Sequence, residues 1–428
     1  MTFARQSLGS LVALMFGVAV SILLPRVLGP EARGEYQLAV KVAGLVLAVA
    51  QWGIPEVLLQ ALADRRISHG ALIGTSLVLG IAGAILMAVV LGAAYPLVQD
   101  NLLKGVEPVL LVLTLGGSVA SLIGLLSRRF IQLGGRVDVY NGLDVARTAL
   151  FLVLVAIGGV LLPHQALGPT IGWLVSEIAL AAVATAFLWR RTHATTRWSV
   201  QPGLARDLAT SGAPIQFGLL GMFIGSEGGA FVLNASLDVS AVGIYSVALS
   251  VSRLVLQISV ALRTALQPRL LANERDSAEM TARVTRHGLL WMVTIACGLA
   301  LASPLAGIIF GRDFSAVGPI LVILLPGMVA YGVWQLLASH LLRIGRRGFL
   351  AGVAWLFGVT SIMLQWVGSQ AFGLPGAAVG LSFAYVLATL VVLVAFVQLS
   401  GRSARELLPA PGDLAFYVGL TRRALATR

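Results

Sequence analysis

The sequence predicts an all-α integral membrane protein of about twelve transmembrane helices in two pseudo-symmetric six-helix lobes. Three observations predict it. Twelve long apolar stretches divide the 428 residues, and about 20 apolar residues cross a bilayer as a helix. Nearly all arginines outside those stretches fall in every second gap, the bias that orients membrane helices. Two short patterns recur about 210 residues apart, at matching places in the two halves. Composition agrees: 58% of residues are hydrophobic and 11% charged, with mean hydropathy +0.91, whereas a soluble domain is roughly a quarter charged. The apolar runs are continuous rather than alternating, which excludes β-barrel spans. The net charge of +12 is the topological arginine excess and points to no nucleic acid.

In chain order the predicted helices cover 8–27, 36–62, 71–97, 106–126, 146–163, 168–189, 213–235, 243–265, 288–310, 318–342, 349–370 and 376–399. The first is not expected to be a cleavable signal, because it ends in Leu-Pro-Arg without a small-residue cleavage site. The even gaps hold Arg65 and Arg66; Arg128, Arg129 and Arg136; Arg190, Arg191, Arg197 and Arg206; Arg269, Arg275, Arg283 and Arg286; Arg343, Arg346 and Arg347. The odd gaps carry only Arg33, Lys104 and Arg312. Both termini are therefore expected in the cytoplasm. The polar gap 190–212 is the natural seam, giving lobes at 1–200 and 201–400 and a cytoplasmic tail at 401–428. The gap 266–287 is expected as a helical hairpin arm on the surface. The tail, weakly amphipathic around Leu414, Phe416, Tyr417 and Leu420, is expected on the inner leaflet with Arg422 and Arg423 near lipid phosphates.

The halves resemble each other. Gly34-Glu-Tyr36 with Ala39, expected in the first external turn, parallels Gly243-Ile-Tyr245 with Ala248. Ile131-Gln-Leu-Gly134-Gly-Arg136 parallels Leu342-Arg-Ile-Gly345-Arg-Arg347. Two such bundles flanking a central site form a recurrent transporter layout.

A charge at mid-bilayer costs roughly 2.5–3.5 kcal/mol and needs a reason. Helix two carries Gln37, Lys41, Gly44 and Gln51 on one face, and helix eight carries Ser246, Ser250, Arg253 and Gln257. The repeat pairs Gln37 with Ser246 and Lys41 with Ser250, so the stripes are equivalent faces. They line either a hydrated cleft or a helix contact held by buried polar groups. Arg26 either snorkels to the interface or lines the cleft. Glu56, Glu177 and Glu227 either pair with Lys41 or Arg253 or bind a coupling ion. The glycines Gly221, Gly225 and Gly229 allow close packing or bending of helix seven.

Enzyme chemistry finds no support. There is no phosphate-binding loop and no His-Glu-x-x-His pair. The five histidines, His69, His164, His193, His287 and His340, have no metal spacing, and no metal or resident cofactor is expected. Cys297 is expected as a small core residue. Asn234-Ala-Ser236 matches a glycosylation acceptor by chance.

The run Leu24-Pro-Arg-Val-Leu-Gly-Pro-Glu-Ala-Arg-Gly-Glu-Tyr36, with Gln51-Trp-Gly-Ile-Pro55 and the Gly243-Ile-Tyr245 motif, resembles polysaccharide flippases of the Wzx type over residues 5 to 400. These belong to the superfamily that includes multidrug antiporters and peptidoglycan-precursor flippases. The latter usually have fourteen spans, so twelve point away from that subtype. The resemblance implies a V-shaped, MATE-like scaffold in the bacterial inner membrane. It also implies flipping of an undecaprenyl-pyrophosphate-linked glycan to the periplasmic leaflet, with polysaccharide polymerase and glycosyltransferases as partners. By helix position, Arg26, Lys41 and Arg253 would meet the pyrophosphate, and Gln37, Gln51 and Gln257 the sugar hydroxyls. Membrane potential, Na+ or H+ would drive the step. Two rivals stand: a cation-coupled drug antiporter, which predicts an acidic cleft dominated by Glu56, Glu177 or Glu227, and a membrane scaffold that transports nothing.

Overall fold

The computed structural model describes residues 2–63, 67–192, 196–272 and 277–409. Among them the fold is all-α. The helices are α1 (Thr2–Ala50), α2 (Ile54–Ala63), α3 (His69–Val98), α4 (Pro108–Leu133), α5 (Val137–Leu161), α6 (Leu167–Thr192) and α7 (Pro202–Glu227). There follow α8 (Gly229–Ser236), α9 (Val239–Ser252), α10 (Leu256–Ala272), α11 (Ser277–Ala302), α12 (Ala306–Phe310), α13 (Val317–Arg343) and α14 (Arg347–Ser400). Ten helical segments are long and apolar enough to cross a membrane. The chain is a multi-pass integral membrane protein.

Ten segments replace the twelve expected because helix bridges two of the gaps. α1 has 49 residues and α14 has 54, roughly 75 and 80 Å of helix at 1.5 Å per residue, against a bilayer core of about 30 Å. Each contains one glycine outside helical geometry, Gly29 (φ 74°, ψ 175°) and Gly373 (φ 62°, ψ −144°). Positive φ is open to glycine at little cost. Pro30 then starts the resumed helix, where a missing N–H is harmless. At Gly373 the chain doubles back. Gly368 packs on Gly376, and Gly380 on Leu364, whose carbonyl carbon lies 2.6 Å from where a Cβ would sit.

The repeat is written in backbone hydrogen bonds. α4 ends with Gly135 at φ 80° and α13 with Gly345 at φ 79°. Arg136 N bonds Ile131 O at 3.1 Å, and Arg346 N bonds Leu341 O at 2.9 Å. Every partner is displaced by 210 positions, and the bonds are those of a left-handed glycine stop.

Several sequence expectations are corrected. Gly34-Glu-Tyr36 and Gly243-Ile-Tyr245 lie inside α1 and α9, not in turns. There the missing side chains let the helices cross. Gly34 abuts Val239, and a Cβ on Gly243 would stand 3.1 Å from Gly34 N. Arg33 is not in an external loop but buried in α1, because the turn is made by Gly29 alone. Cys297 is exposed, since the inward face of α11 is set by Gly288, Met292 and Ala296. The 266–287 arm continues α10 and α11, and its second limb is buried at Ser277, Thr281 and Thr285. Asn234 is buried and donates to the carbonyls of Leu102 (3.1 Å) and Lys104 (3.0 Å), which removes it as an acceptor site. Arg65, Arg66, His193, Arg275 and the amphipathic stretch Leu414–Arg423 lie outside the described residues.

The larger apolar core threads α1, α5, α9, α13 and α14. The second gathers α2, α3 and α4 around Leu204 and Leu208 of α7.

Candidate functional site

Three charges meet within the membrane-spanning helices. Lys41 of α1 donates to Oε2 of Glu227, and Arg253 donates from Nη2 to its Oε1 at 2.6 Å. Arg253 also reaches the carbonyl of Ser226 at 3.3 Å. The side chains are 14% (Lys41), 15% (Glu227) and 33% (Arg253) exposed, so the group is sheltered but not sealed. Two cations share one carboxylate, which leaves one net positive charge.

Local structure aims each member. Lys41 lies on the stripe with Gln37 and Gly44, and Phe223 of α7 packs on Gly44. Glu227 is the last residue of α7, before the interruption at Gly228. Gly221, Gly225 and Gly229 hold this stretch against α14, on Ala354, Phe357 and Gln365 respectively, so close packing is what these glycines do. Arg253 opens a 3-10 turn, Arg253–Val255, between α9 and α10. A 3-10 turn advances about 20° per residue more than an α-helix, so the stripe does not continue. Gln257 is exposed beyond it.

The other candidates are placed elsewhere. Arg26 does not join the triad. Its Nε and Nη2 donate to the carbonyls of Ile309 and Ile308, both at 2.7 Å, neutralising the last turn of α12. Glu177 in α6 pairs with Arg147 of α5 at 3.0 Å and accepts from Ser121 of α4 at 2.6 Å. Glu56 is exposed in the first turn of α2, where a carboxylate suits the helix dipole. Gln51 is half-buried at the helix break before α2.

Three residues escaped the sequence reading. Arg147 bridges Glu177 and Asp144, and its signal was a basic residue just inside a predicted span. Gln216 in α7 is buried. Its side-chain oxygen accepts from Gly53 N at 2.8 Å, and its amide donates to Ala48 O. One glutamine in an apolar run gave no signal. Arg33 lies on the Lys41 stripe, one turn before Gln37, and that spacing was its signal. Among the described residues no group of three His, Cys, Asp or Glu is placed to hold a metal ion.

Solved structures share this fold. The lipid II flippase MurJ in an inward closed conformation is similar with a TM-score of 0.75 and 14% identity, over 91% of this chain and 87% of that one. An inward-facing multidrug resistance MATE family transporter of the MOP superfamily is similar with a TM-score of 0.67 and 14% identity, over 92% and 96%. A variant of the Vibrio cholerae MATE transporter VcmN is similar at 0.64 and 16% identity, over 94% and 96%. No curated protein matches the chain in sequence. The family model described as polysaccharide biosynthesis protein matches residues 4–274. The chain therefore belongs to the polysaccharide biosynthesis protein family, on a fold shared with MurJ and MATE transporters.

Proposed function

We propose that this chain moves a polyprenyl-diphosphate-linked oligosaccharide from the cytoplasmic to the periplasmic leaflet of the bacterial inner membrane. Two lobes, 1–200 and 201–400, alternate access to a site between them, with 401–428 as a cytoplasmic tail. In this reading α1 and α14 each cross twice, through Gly29 and Gly373. That gives twelve crossings, both termini inside, and the arginine-rich loops on the cytoplasmic face.

The triad carries the reading. Lys41 belongs to the first lobe, Glu227 and Arg253 to the second. Glu227 stands where an anionic headgroup would stand, between two cations. A diphosphate brings more negative charge than one carboxylate and makes charge-assisted bonds to Lys and Arg. It would displace Glu227, and Gln37, one turn away, would meet the first sugar; Gln51 and Gln257 would serve hydroxyls farther from the phosphates. Arg26 ties the lobes and is not a ligand. An inside-negative potential favours outward movement of an anion by roughly 2.3 kcal/mol per charge per 100 mV. Glu227, displaced, is the carboxylate on which a proton or sodium ion would act. Glycosyltransferases and a polymerase would supply and consume the glycan. A drug antiporter for organic cations would need an excess of acid here, and the triad has the opposite balance.

The test uses the full chain in proteoliposomes containing undecaprenyl-diphosphate-linked N-acetylglucosamine. A galactosyltransferase added outside labels only the glycan exposed there. Lys41→Gln and Arg253→Gln should each slow labelling about tenfold or more, which corresponds to about 1.4 kcal/mol or more. Rates equal to the unaltered protein in both variants would overturn the proposal.

A further inference from the structure

We infer that Arg33 is a second anion station, on the outer side of Lys41, which takes the diphosphate as the outer end of the cleft opens; this rests on the reading of the chain as a diphosphate-lipid carrier. Arg33 is 6% exposed, and no other arginine among the described residues is buried to this degree. Its Nε is shut off from solvent without a hydrogen-bond partner. No carboxylate stands within ion-pair distance of it among the described residues, whereas Arg128, Arg136, Arg147, Arg253, Arg283 and Arg402 all have one. Among the described residues the one group on its guanidinium is the ring of Tyr36, 5.6 Å to the centroid. Tyr36 is itself fixed by stacking on Phe151 at 6.4 Å. A guanidinium stays charged in a protein, and a buried charge without a counter-charge is costly. Such a group is retained where an anion visits.

Position names the visitor. Arg33, Gln37 and Lys41 follow at four-residue steps on one helical face. Lys41 is occupied by Glu227; Arg33, about 12 Å farther along the axis, is not. Beside and beyond it α1 and α9 close on each other, Gly34 against Val239 and Gly243 against Pro30. Arg33 is thus the last cation before the outer closure. When α1 and α9 part there, it becomes the cation of this stripe nearest the exit. A diphosphate passed to it along Gln37 leaves Lys41 and Arg253 to Glu227, which recaptures them. The ligand chemistry is a phosphate anion, from a diphosphate lipid or from free diphosphate.

The experiment compares Arg33→Met, Arg33→Lys and Lys41→Met with the unaltered full chain in detergent micelles. Binding of undecaprenyl diphosphate and, separately, of inorganic pyrophosphate is measured by titration calorimetry, with the thermal midpoint of each protein alone. Arg33→Met should weaken binding about tenfold while raising the thermal midpoint, because a neutral side chain of similar length removes an uncompensated charge. Arg33→Lys should keep most of the affinity. The same Arg33 dependence with inorganic pyrophosphate also supports the station and assigns it to the free anion. Unchanged affinity in Arg33→Met, with loss in Lys41→Met, overturns the station and leaves the carrier reading standing. A lower midpoint together with weaker binding in Arg33→Met, unrescued by Arg33→Lys, makes Arg33 structural and also overturns it. An unaltered protein that binds neither probe overturns both.

Discussion

Glu227 is one carboxylate answering two cations, and its removal has a calculable consequence. Glu227→Gln leaves Lys41 and Arg253 facing each other in a sheltered site. Breaking a buried pair from one side costs about 3–5 kcal/mol, which the partial exposure of Arg253 reduces to about 2 kcal/mol. The thermal midpoint of the purified protein should fall, and undecaprenyl diphosphate should restore more of it than in the unaltered protein, because the anion supplies the missing charge. The double variant Lys41→Met, Glu227→Leu should be less destabilised than Glu227→Gln alone, a non-additivity expected of touching groups; equal or greater loss would show that the triad is not one electrostatic unit. The stripes bearing Lys41 and Arg253 were legible in the sequence because a charge in an apolar run stands out. Their partner was not singled out, since Glu56, Glu177 and Glu227 were equivalent until the fold gave Glu177 to Arg147 and placed Glu56 in an exposed helix start. Arg33 was hidden for a different reason. Its charge fitted a loop so well that the four-residue step to Gln37 went unused.

Where helices cross or break, single glycines decide the geometry. α1 and α9 touch at Gly34 and Gly243, and a Cβ at 243 would run into the carbonyl of Pro30. Gly243→Val should therefore pry this crossing open. With Ser250→Cys as reporter and the exposed Cys297 replaced by Ala, labelling by an impermeant maleimide from the periplasmic side should rise about 5- to 30-fold, the effect of one to two kcal/mol. Unchanged labelling would mean that the crossing is no barrier. A second junction, outside the membrane helices, is the 3-10 turn Ala404–Leu407 against α11. Arg402 bridges Glu279 at 2.9 Å and Glu406 at 3.2 Å. Glu406 also accepts from Ser403 N, and this bond, then Arg402, holds its pKa below the ordinary glutamate range. A lowered carboxylate contributes its stabilisation fully above the unfolded value, about 4.3, and loses it as pH falls through the folded one. Hydrogen exchange at residues 404–408, corrected for its intrinsic pH dependence, should rise below that value and not between pH 6 and 8. Periodicity showed most of these helices, and the glycine stops were visible as a repeated motif read one residue out of register, pairing Gly134 with Gly345 where the structure pairs Gly135. The continuous runs through Gly29 and Gly373 were not: Glu31, Arg33 and Glu35 filled what reads as a loop, and Gly373-Leu-Pro375 marks a turn without showing that one residue makes it.

Across the whole molecule, side-chain hydrogen bonds join the two proposed lobes at three depths, those from Asn234 to the carbonyls of Leu102 and Lys104 among them. Arg26 holds the carbonyls of α12 at one end, the triad sits midway, and Gln216 lies at the other end. Gln216 acts as a splint for the break after α1. Trp52 N turns to Val49 O at 3.5 Å, so the carbonyl of Ala48 lacks its usual helical donor. Gly53 N, at φ 66°, lacks a helical acceptor. The amide of Gln216, reaching over from α7, satisfies both, and Gly53 and Gly212 meet backbone to backbone beside it. On the proposed function, the chain is thus fastened at the end that opens to load substrate. Gln216→Leu keeps the volume and strands two buried polar groups, each worth about 1–3 kcal/mol unless water reaches them. Water reaches them only if the lobes part, so the penalty falls on the closed state alone. In the Ser250→Cys, Cys297→Ala background, labelling from the cytoplasmic side should increase by at least about fivefold while labelling from the periplasmic side falls, since a state open at one end is closed at the other. Increases on both sides would mean general loosening, and Gln216 would then be an ordinary packing residue rather than the latch of a two-state carrier.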